Sequence, residues 1–276
     1  MLRQGTPRMS DPLQAYRIEA EPFYRATAQE VALYTHAYRH RMPLMLKGPT
    51  GCGKTRFVEY MAWQLGRPLV TLACNEDMTT SDLVGRWLLD AHGTAWHDGP
   101  LTLAVRHGAI CYLDEVVEAR QDTTVVIHPL TDARRMLPLD KKGEVVHAHD
   151  DFQLVVSYNP GYQSRSKDMK VSTRQRFAAL EFDYPSAPVE AEIVAHEAGI
   201  AVELANRLVG VAQRSRALKG RGLDEGASTR CLIHAGLLMR DGVSVTESCR
   251  MAITHSLTDD VDIARALDSF VEAHFG

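Results

Sequence analysis

A glycine-rich octapeptide near residue 50 has the residue types and spacing of a phosphate-binding loop. It reads GPTGCGKT and occupies residues 48–55, which we call the phosphate loop. Its glycines let backbone N–H groups turn toward phosphate oxygens, and its lysine and threonine can reach the β and γ phosphates and Mg²⁺. The loop therefore predicts a site for ATP and Mg²⁺. Its residues are Gly48, Pro49, Thr50, Gly51, Cys52, Gly53, Lys54 and Thr55, of which Lys54 is also a catalytic candidate and Thr55 a metal ligand.

Two adjacent acids follow an apolar run at residues 110–113. A phosphate loop needs a carboxylate beside the γ phosphate, because Mg²⁺ prefers oxygen ligands. We expect Asp114 to hold the metal and Glu115 to polarise the attacking water as a general base. The alternative is that both acids cap the next helix. A second acid favours hydrolysis over a small-molecule kinase, which would need an acceptor pocket and an arginine-rich lid.

Four further side chains are candidates for the same site. Asn159 follows the apolar run at residues 154–158, and its amide can position water or contact the γ phosphate, although Asn-Pro also starts turns. Arg174 and Arg176 are candidates for an arginine that a neighbouring subunit supplies to the transition state. Arg230 opens a predicted helix and can reach the nucleotide within its own chain. Surface arginines are usually solvated, so position alone supports these three only weakly.

Short apolar runs alternate with helical patterns up to about residue 185. The runs predict five β-strands, at residues 44–47, 68–73, 109–113, 154–158 and 179–182. Helices are predicted at residues 29–39, 54–65 and 80–84. This alternation is typical of a parallel sheet covered by helices on both faces. The predicted fold class is therefore α/β, with a five-stranded parallel sheet.

Two stretches interrupt this alternation and predict β-hairpins. They are residues 86–98, with Gly93 at the turn, and residues 134–149, with Lys142 and Gly143 at the turn. After residue 185 five helical patterns follow, at 188–198, 201–218, 228–240, 244–254 and 259–274. We therefore expect an N-terminal leader at 1–28, an α/β nucleotide-binding domain at 29–185 and a small helical lid domain at 186–276.

Composition limits the classes of function. The chain has 276 residues, of which 45% are hydrophobic and 24% charged, as in ordinary soluble proteins. Its net charge of −4 attracts nucleic-acid phosphates poorly, so a nucleic-acid partner is not expected. No apolar stretch predicts a membrane span or a signal peptide, which favours a cytoplasmic protein. The five cysteines form no CxxC pair, which predicts reduced thiols.

The motifs in this order resemble the AAA+ superfamily, and hairpins at these places are similar to inserts of the MoxR clade. Over about residues 20–270 the sequence resembles one family of this clade in particular, the CbbQ/NorQ family. It rests on GPTGCGKTRFVEYMAW, SDLVGRWLLD, WHDGPLT, GAICYLDEVVEARQDTTVVIHPLTDARR, SYNPGYQS and STRQRF. The resemblance implies that residues 48–55 are Walker A, Asp114 and Glu115 Walker B, Asn159 sensor 1 and Arg230 sensor 2. It places the trans-acting arginine in STRQRF without deciding which one it is.

The resemblance also implies an assembly and partners. Family members form hexameric rings and act with a partner that carries a von Willebrand factor A domain. CbbQ members with a CbbO partner act as a Rubisco activase that releases inhibitory sugar phosphates, whereas NorQ members assist maturation of nitric oxide reductase. The stretch MLPLDKKGEVVHAH is more similar to CbbQ members. The resemblance thus implies an ATP-hydrolysing homo-hexamer that acts on Rubisco, with Trp96, Lys141 and Lys142 of the hairpins as candidate partner contacts.

Overall fold

A computed structural model of the protein describes residues 12–91, 93–160 and 169–276. Most of the first half of the predicted leader, the tip of the first predicted hairpin at residue 92 and the end of the SYNPGYQS segment lie outside the described residues. The strands are β1 (Leu44–Lys47), β2 (Leu69–Ala73), β3 (Gly85–Asp90), β4 (Gly93–Asp98), β5 (Ile110–Asp114), β6 (Met136–Leu139), β7 (Glu144–His147), β8 (Gln153–Tyr158) and β9 (Ala178–Glu181). The helices are α1 (Glu30–Arg39), α2 (Lys54–Gln64), α3 (Thr80–Val84), α4 (Pro100–His107), α5 (Gln121–Val125), α6 (Val171–Arg174), α7 (Ala187–Ala198), α8 (Val202–Arg216), α9 (Thr229–Arg240), α10 (Val245–Cys249), α11 (His255–Leu257) and α12 (Val261–Phe275).

The central sheet has five parallel strands in the order β2-β5-β8-β1-β9. This confirms the α/β prediction, and all five predicted strands lie within one residue of the observed bounds. The register pairs Lys47 with Tyr158 on one side and with Glu181 on the other. Because the last residues of β1 and β8 are paired, the two strands end at the same edge of the sheet. The phosphate loop and Asn159, which follow these strands, therefore lie at that edge. Ligands of open α/β sheets bind at this carboxyl edge.

Both faces of the sheet are buried. Met45 and Val156 join one apolar cluster, whereas Leu46 and Val155 join another on the opposite face. Successive side chains of a strand point to opposite faces, so a strand that is covered twice needs apolar residues at every position. This requirement explains why the strands read as continuous apolar runs.

The two predicted hairpins are both present, as the antiparallel pairs β3-β4 and β6-β7. Lys142 and Gly143 lie between β6 and β7, as predicted. Gly93 pairs with Asp90 as the first residue of β4, so it closes the turn of the first hairpin. The paired strands are also shorter than the second predicted range, since β6 begins at Met136 and β7 ends at His147.

The hairpins contact one another. The Trp87 indole N–H donates a hydrogen bond of 2.9 Å to the carbonyl of Lys141. The Lys142 ammonium lies 5.9 Å from the centre of the Trp96 ring, and the two tryptophan rings meet edge to face at 5.6 Å. Arg106 of α4 forms ion pairs with Asp98 of the first hairpin and with Glu144 of the second. The two hairpins and α4 therefore form one connected unit.

Helix α4 was absent from the prediction, which assigned no structure to residues 99–108. Gly99 precedes the helix, Pro100 begins it, and Gly108 ends it in the left-handed conformation. Proline at the first helical position and glycine after the last are sequence signals of helix ends. The eight-residue helix was missed because the adjacent hairpin pattern obscured these signals.

The C-terminal residues 187–275, which we call the helical region, contain all five predicted helical patterns. Their buried side chains form a cluster separate from the two clusters of the sheet. The pattern at residues 244–254 is not one regular helix, because α10 ends at Cys249 and a π-helical segment at Arg250–Thr254 precedes α11. A local widening of this kind leaves the apolar period nearly unchanged, so the sequence does not reveal it.

Two expectations about the whole chain can be compared with the described residues. All five cysteines are free thiols, and four of them are buried. Among the helices of residues 12–91, 93–160 and 169–276, none is long and apolar enough to cross a membrane.

Candidate functional site

A cavity of about 590 Å³ lies at the carboxyl edge of the sheet, between the phosphate loop, the leader and the helical region. The predicted site residues that line it are Thr50, Gly51, Cys52, Gly53, Lys54, Thr55, Asp114, Glu115, Asn159 and Arg230. Gly48 and Pro49 line a second cavity behind the loop. The structure therefore brings together the residues that the sequence assigns to nucleotide and metal binding.

Lys54 is a buried cation at the start of α2. Its ammonium donates hydrogen bonds to the carbonyls of Gly48 and Pro49, at 2.9 and 2.8 Å, and to Oδ1 of Asn159 at 2.7 Å. Burial lowers the pKa of the Lys54 ammonium. Three oxygen acceptors compensate for the lost hydration, since a buried charge requires such partners. Lys54 thus joins the phosphate loop to the end of β8.

Asp114 is held in place by hydroxyl groups. Its Oδ1 accepts hydrogen bonds from Tyr112 at 2.7 Å and from Ser157 at 2.5 Å, and Oδ2 lies 3.4 Å from the Thr55 hydroxyl. Ser157 also accepts the Glu115 backbone N–H at 2.7 Å. The carboxylate of Asp114 and the hydroxyl of Thr55 are adjacent oxygen donors of the kind that Mg²⁺ prefers.

Glu115 adopts a left-handed backbone conformation, with φ 54° and ψ 49°. Residues other than glycine rarely adopt it, and such strain is concentrated at functional sites. The amide of Asn159 donates to the Glu115 carboxylate at 3.3 Å and to the Thr50 hydroxyl at 3.4 Å. Asn159 therefore contacts Lys54, Glu115 and Thr50 at once. The amide fixes where the carboxylate lies relative to the phosphate loop.

The three candidate arginines lie in different places. Arg230, the second residue of α9, lines the cavity. Arg174 and Arg176 are not among the residues that line this cavity. Arg176 forms an ion pair of 3.5 Å with Asp132. Both partners of that pair are more than 30% exposed, and exposed pairs contribute little free energy, so the pair does not decide between the two arginines.

The leader forms a wall of the cavity that sequence reasoning missed. Phe23, Tyr24, Arg25 and Thr27 all line the cavity. The Phe23 ring stacks on His196 of the helical region with ring centres 3.6 Å apart, and Arg25 forms an ion pair with Glu192. The adjacent aromatic residues in an otherwise polar leader were the available signal. Flat apolar side chains at this end suit the base of a nucleotide.

Cys52 and Ser157 show two further ways in which the sequence was incomplete. The Cys52 thiol is buried in the phosphate loop, and burial raises its pKa, so it is a packed apolar group of the loop rather than a nucleophile. Ser157 was not a candidate, although a hydroxyl in the apolar strand LVVSY is a signal that something polar lies beside it. Its partners are Asp114 and Glu115.

Two protein-family models match the chain. A model described as AAA domain (dynein-related subfamily) matches residues 43–177, which contain the phosphate loop and Asn159. A model described as CbbQ/NirQ/NorQ C-terminal matches residues 190–274, which contain most of the helical region.

Curated relatives match along nearly the whole chain. The chain is 64% identical over 260 residues to protein CbbQ of Hydrogenophilus thermoluteolus, covering 94% of this chain and 97% of that protein. It is 56% identical to the denitrification regulatory protein NirQ of Pseudomonas aeruginosa, with coverages of 93% and 98%. It is 53% identical to protein NorQ of Paracoccus denitrificans, with coverages of 92% and 94%.

A solved structure supports the fold. A RuvB variant from Thermotoga maritima matches with a TM-score of 0.53 at 17% identity, covering 88% of this chain and 70% of that chain. At this identity the similarity concerns the fold alone.

The phosphate loop packs directly against the helical region at Gly51. A methyl group on Gly51 would lie 2.6 Å from the Cβ of Ser228, and φ at this glycine is +68°. Gly66 has nearly the same backbone conformation, with φ +63°, but a methyl group there would meet no described atom within 4 Å. The two glycines therefore separate the cost of the backbone conformation from the cost of the contact.

We predict that Gly51→Ala destabilises the protein more than Gly66→Ala does. Gly66→Ala is expected to cost about 1–2 kcal/mol, since an alanine there must adopt the left-handed conformation. Gly51→Ala should cost about 1–3 kcal/mol more, because the methyl group also overlaps Ser228. Denaturant unfolding of the nucleotide-free proteins measures both losses. Equal losses would show that the loop and the helical region do not pack as described.

Proposed function

The chain belongs to the CbbQ/NirQ/NorQ family of AAA+ ATPases, and from this premise we propose that it is a ring motor that uses ATP hydrolysis to remodel a target protein complex. One observation carries the proposal. Asn159 contacts Lys54, Glu115 and Thr50 at the edge of a single cavity, so groups for phosphate binding and water activation converge there. Arg230 of the helical region lines the same cavity, which supports coupling between the nucleotide and that region.

We propose these roles for the site residues. Backbone groups of the phosphate loop and the Lys54 ammonium bind the phosphates, once the nucleotide replaces the loop carbonyls that Lys54 now contacts. Glu115 accepts a proton from the attacking water, and Asn159 orients that water. Arg230 contacts the γ phosphate from the helical region. Hydrolysis removes this contact, and the helical region is then free to move relative to the sheet.

Thr55 and Asp114 would hold Mg²⁺, and their adjacent oxygens fit this ion. A bound ion would supply positive charge that offsets the charge of the phosphates. The Tyr112 and Ser157 hydroxyls orient Asp114, because both donate hydrogen bonds to its carboxylate.

We predict that Glu115→Gln binds ATP with nearly unchanged affinity but hydrolyses it about 10²–10⁴-fold more slowly, because the amide cannot accept the proton. Nucleotide titration and a phosphate-release assay without any acceptor substrate measure the two quantities. The matched control is Glu203→Gln, at an exposed position on α8, which should keep its activity. Normal hydrolysis by Glu115→Gln would exclude Glu115 as the base.

The trans-acting arginine is proposed to be Arg174 or Arg176, supplied to the cavity of a neighbouring subunit in a homo-hexamer. The location of both outside the cavity of their own chain supports this arrangement. An arginine of this kind stabilises charge that develops in the transition state. A complete site then needs Glu115 from one subunit and the arginine from the next.

We predict that mixing two inactive variants restores hydrolysis. Glu115→Gln supplies the arginine and the arginine→Ala variant supplies Glu115, so about a quarter of the interfaces in a randomly mixed ring would be complete. Arg174→Ala and Arg176→Ala are each tested in this mixture, and the one that recovers activity identifies the residue. Arg265→Ala, an exposed control at 76% side-chain exposure, should be active without mixing. Absence of recovery with both variants contradicts a shared site.

The hairpins are proposed to transmit the motion to a partner with a von Willebrand factor A domain. The contact of Lys142 with the Trp96 ring supports a role for both residues in holding the two hairpins together. Leu89 is 82% exposed and Trp87 is 48% exposed, which supports the first hairpin as the partner-facing surface. Lys141 contacts neither of these residues through its ammonium, which donates a hydrogen bond of 2.8 Å to the Ser81 hydroxyl of α3.

The proposed target is Rubisco inhibited by a sugar phosphate, supported by the 64% identity to protein CbbQ. A second candidate is the maturation of nitric oxide reductase, supported by the 56% and 53% identities to NirQ and NorQ over nearly the same residues. Both functions use the same ATPase site, so the site residues do not separate them.

We predict that the protein, its cognate partner and ATP restore carboxylation by sugar-phosphate-inhibited Rubisco. Carboxylase activity is measured before and after ATP is added, with Glu115→Gln as the control that binds ATP without turning it over. Absence of reactivation in a mixture that still hydrolyses ATP would contradict the activase function. Partner-dependent activation of nitric oxide reductase in that case would establish the second candidate.

A further inference from the structure

A buried ion pair lies where the sheet meets the helical region. Glu190 of α7 has no exposed surface, and its carboxylate accepts two hydrogen bonds from the guanidinium of Arg216, at 2.6 and 2.8 Å. The same carboxylate accepts a third hydrogen bond from the Thr229 hydroxyl at 2.7 Å. Thr229 immediately precedes Arg230 and begins α9. The buried carboxylate therefore fixes the start of the helix that carries Arg230.

Arg216 connects this pair to the phosphate loop through Tyr184. The guanidinium carbon lies 3.6 Å from the centre of the Tyr184 ring, which is stacking distance. The Tyr184 hydroxyl donates a hydrogen bond of 3.1 Å to the carbonyl of Thr50. Tyr184 lies in the segment between β9 and α7. We call these four residues, Tyr184, Glu190, Arg216 and Thr229, the Glu190 network.

The segment immediately before Arg230 packs against the Glu190 network. The Arg216 guanidinium donates to the carbonyl of Ala227 at 2.9 Å, and the backbone N–H of Ala227 donates to the Ser215 hydroxyl at 2.9 Å. A methyl group on Gly226 would lie 2.4 Å from the Arg216 backbone. Glu225 also accepts the Thr50 backbone N–H at 3.3 Å. Thr50 is thus held through both its N–H and its carbonyl.

We propose that the Glu190 network is a positioning device that sets where Arg230 lies relative to the phosphate loop, with the Tyr184 hydroxyl as the contact that transmits the position of Thr50. Thr50 belongs to the loop proposed to bind the phosphates, and four successive contacts of the network join its carbonyl to Thr229, the residue before Arg230. A displacement of the loop on nucleotide binding therefore displaces the start of α9. The inference rests on the role proposed for Arg230.

Two physical arguments support a positioning role over simple stabilisation. A buried ion pair is weak evidence for stability, because desolvation of both charges offsets much of their attraction. Its geometry is nevertheless strict, since the planar guanidinium matches the carboxylate at two points and leaves little rotational freedom. Such a pair specifies location better than it contributes free energy. Location is what an arginine at a γ phosphate requires.

The test uses Tyr184→Phe, which removes only the hydroxyl and keeps the ring against Arg216. The readout is the ratio of the dissociation constants for ADP and for a non-hydrolysable ATP analogue, measured by titration calorimetry on the full chain. Arg230→Ala should lower this ratio about tenfold or more, since it removes a charge-assisted hydrogen bond to the γ phosphate. Tyr184→Phe should lower it about two- to fivefold, as expected for one neutral hydrogen bond.

The double variant Tyr184→Phe with Arg230→Ala decides the mechanism. If Tyr184 acts through Arg230, the double variant has the ratio of Arg230→Ala alone, because effects through a shared residue are not additive. An independent effect of Tyr184 on nucleotide binding would instead multiply with that of Arg230 and would overturn the inference. Tyr60→Phe is the matched control, since its hydroxyl has no hydrogen bond to a described residue, and it should leave the ratio unchanged.

A second variant examines the ion pair itself. Arg216→Lys keeps the positive charge but loses the paired hydrogen bonds of the guanidinium to Glu190 and its stacking on Tyr184. It should therefore lower the ratio at least as much as Tyr184→Phe does. An unchanged ratio in both Arg216→Lys and Tyr184→Phe, with Arg230→Ala still defective, would overturn the positioning inference and leave the ATPase proposal intact. An unchanged ratio in Arg230→Ala would overturn the proposed role of Arg230, and the positioning inference with it.

Discussion

The site depends on the partners of one buried cation. Lys54 has only 7% of its surface exposed, so its charge requires acceptors within the protein. The phosphate loop supplies two carbonyls, and Asn159, the residue after β8, supplies its amide oxygen. Because one amide serves both Lys54 and Glu115, the phosphate-binding group and the carboxylate beside it are positioned together. The proposed binding of phosphate by Lys54 therefore requires that the phosphate replace these carbonyls as its partners.

A second set of contacts approaches the loop from the other side. Thr50 lies within reach of Asn159, and its backbone is held by Tyr184 and Glu225. Tyr184 and Glu225 lie in a half-buried region, and burial raises the pKa of Tyr184 to about 12 and also raises that of Glu225. Polar contacts in such a region are geometrically strict because unpaired groups are costly. The loop therefore lies between two ordered networks, one from the sheet and one from the helical region.

The sequence predicted the features that depend on local order. The phosphate loop, Asp114, Glu115 and Asn159 were found because parallel strands end at one edge, and a polar residue after an apolar run marks that edge. Features that depend on distant contacts were not found. Phe23 meets the cavity only after the leader folds back onto the helical region, and no period in the sequence reports that. Glu190 resembled any acid in the first turn of a helix, although folding buries it completely.

The joined hairpins have a consequence for how this protein can change in evolution. Trp87 of the first hairpin donates a hydrogen bond to the carbonyl of Lys141 in the second. The ammonium of Lys142, the next residue, lies over the Trp96 ring of the first hairpin. A substitution on either side leaves its partner with an unmatched surface, whereas paired substitutions restore the match. Positions in the two hairpins should therefore covary among relatives, despite being about fifty residues apart in the chain. The two hairpins are therefore expected to change together, as a single module.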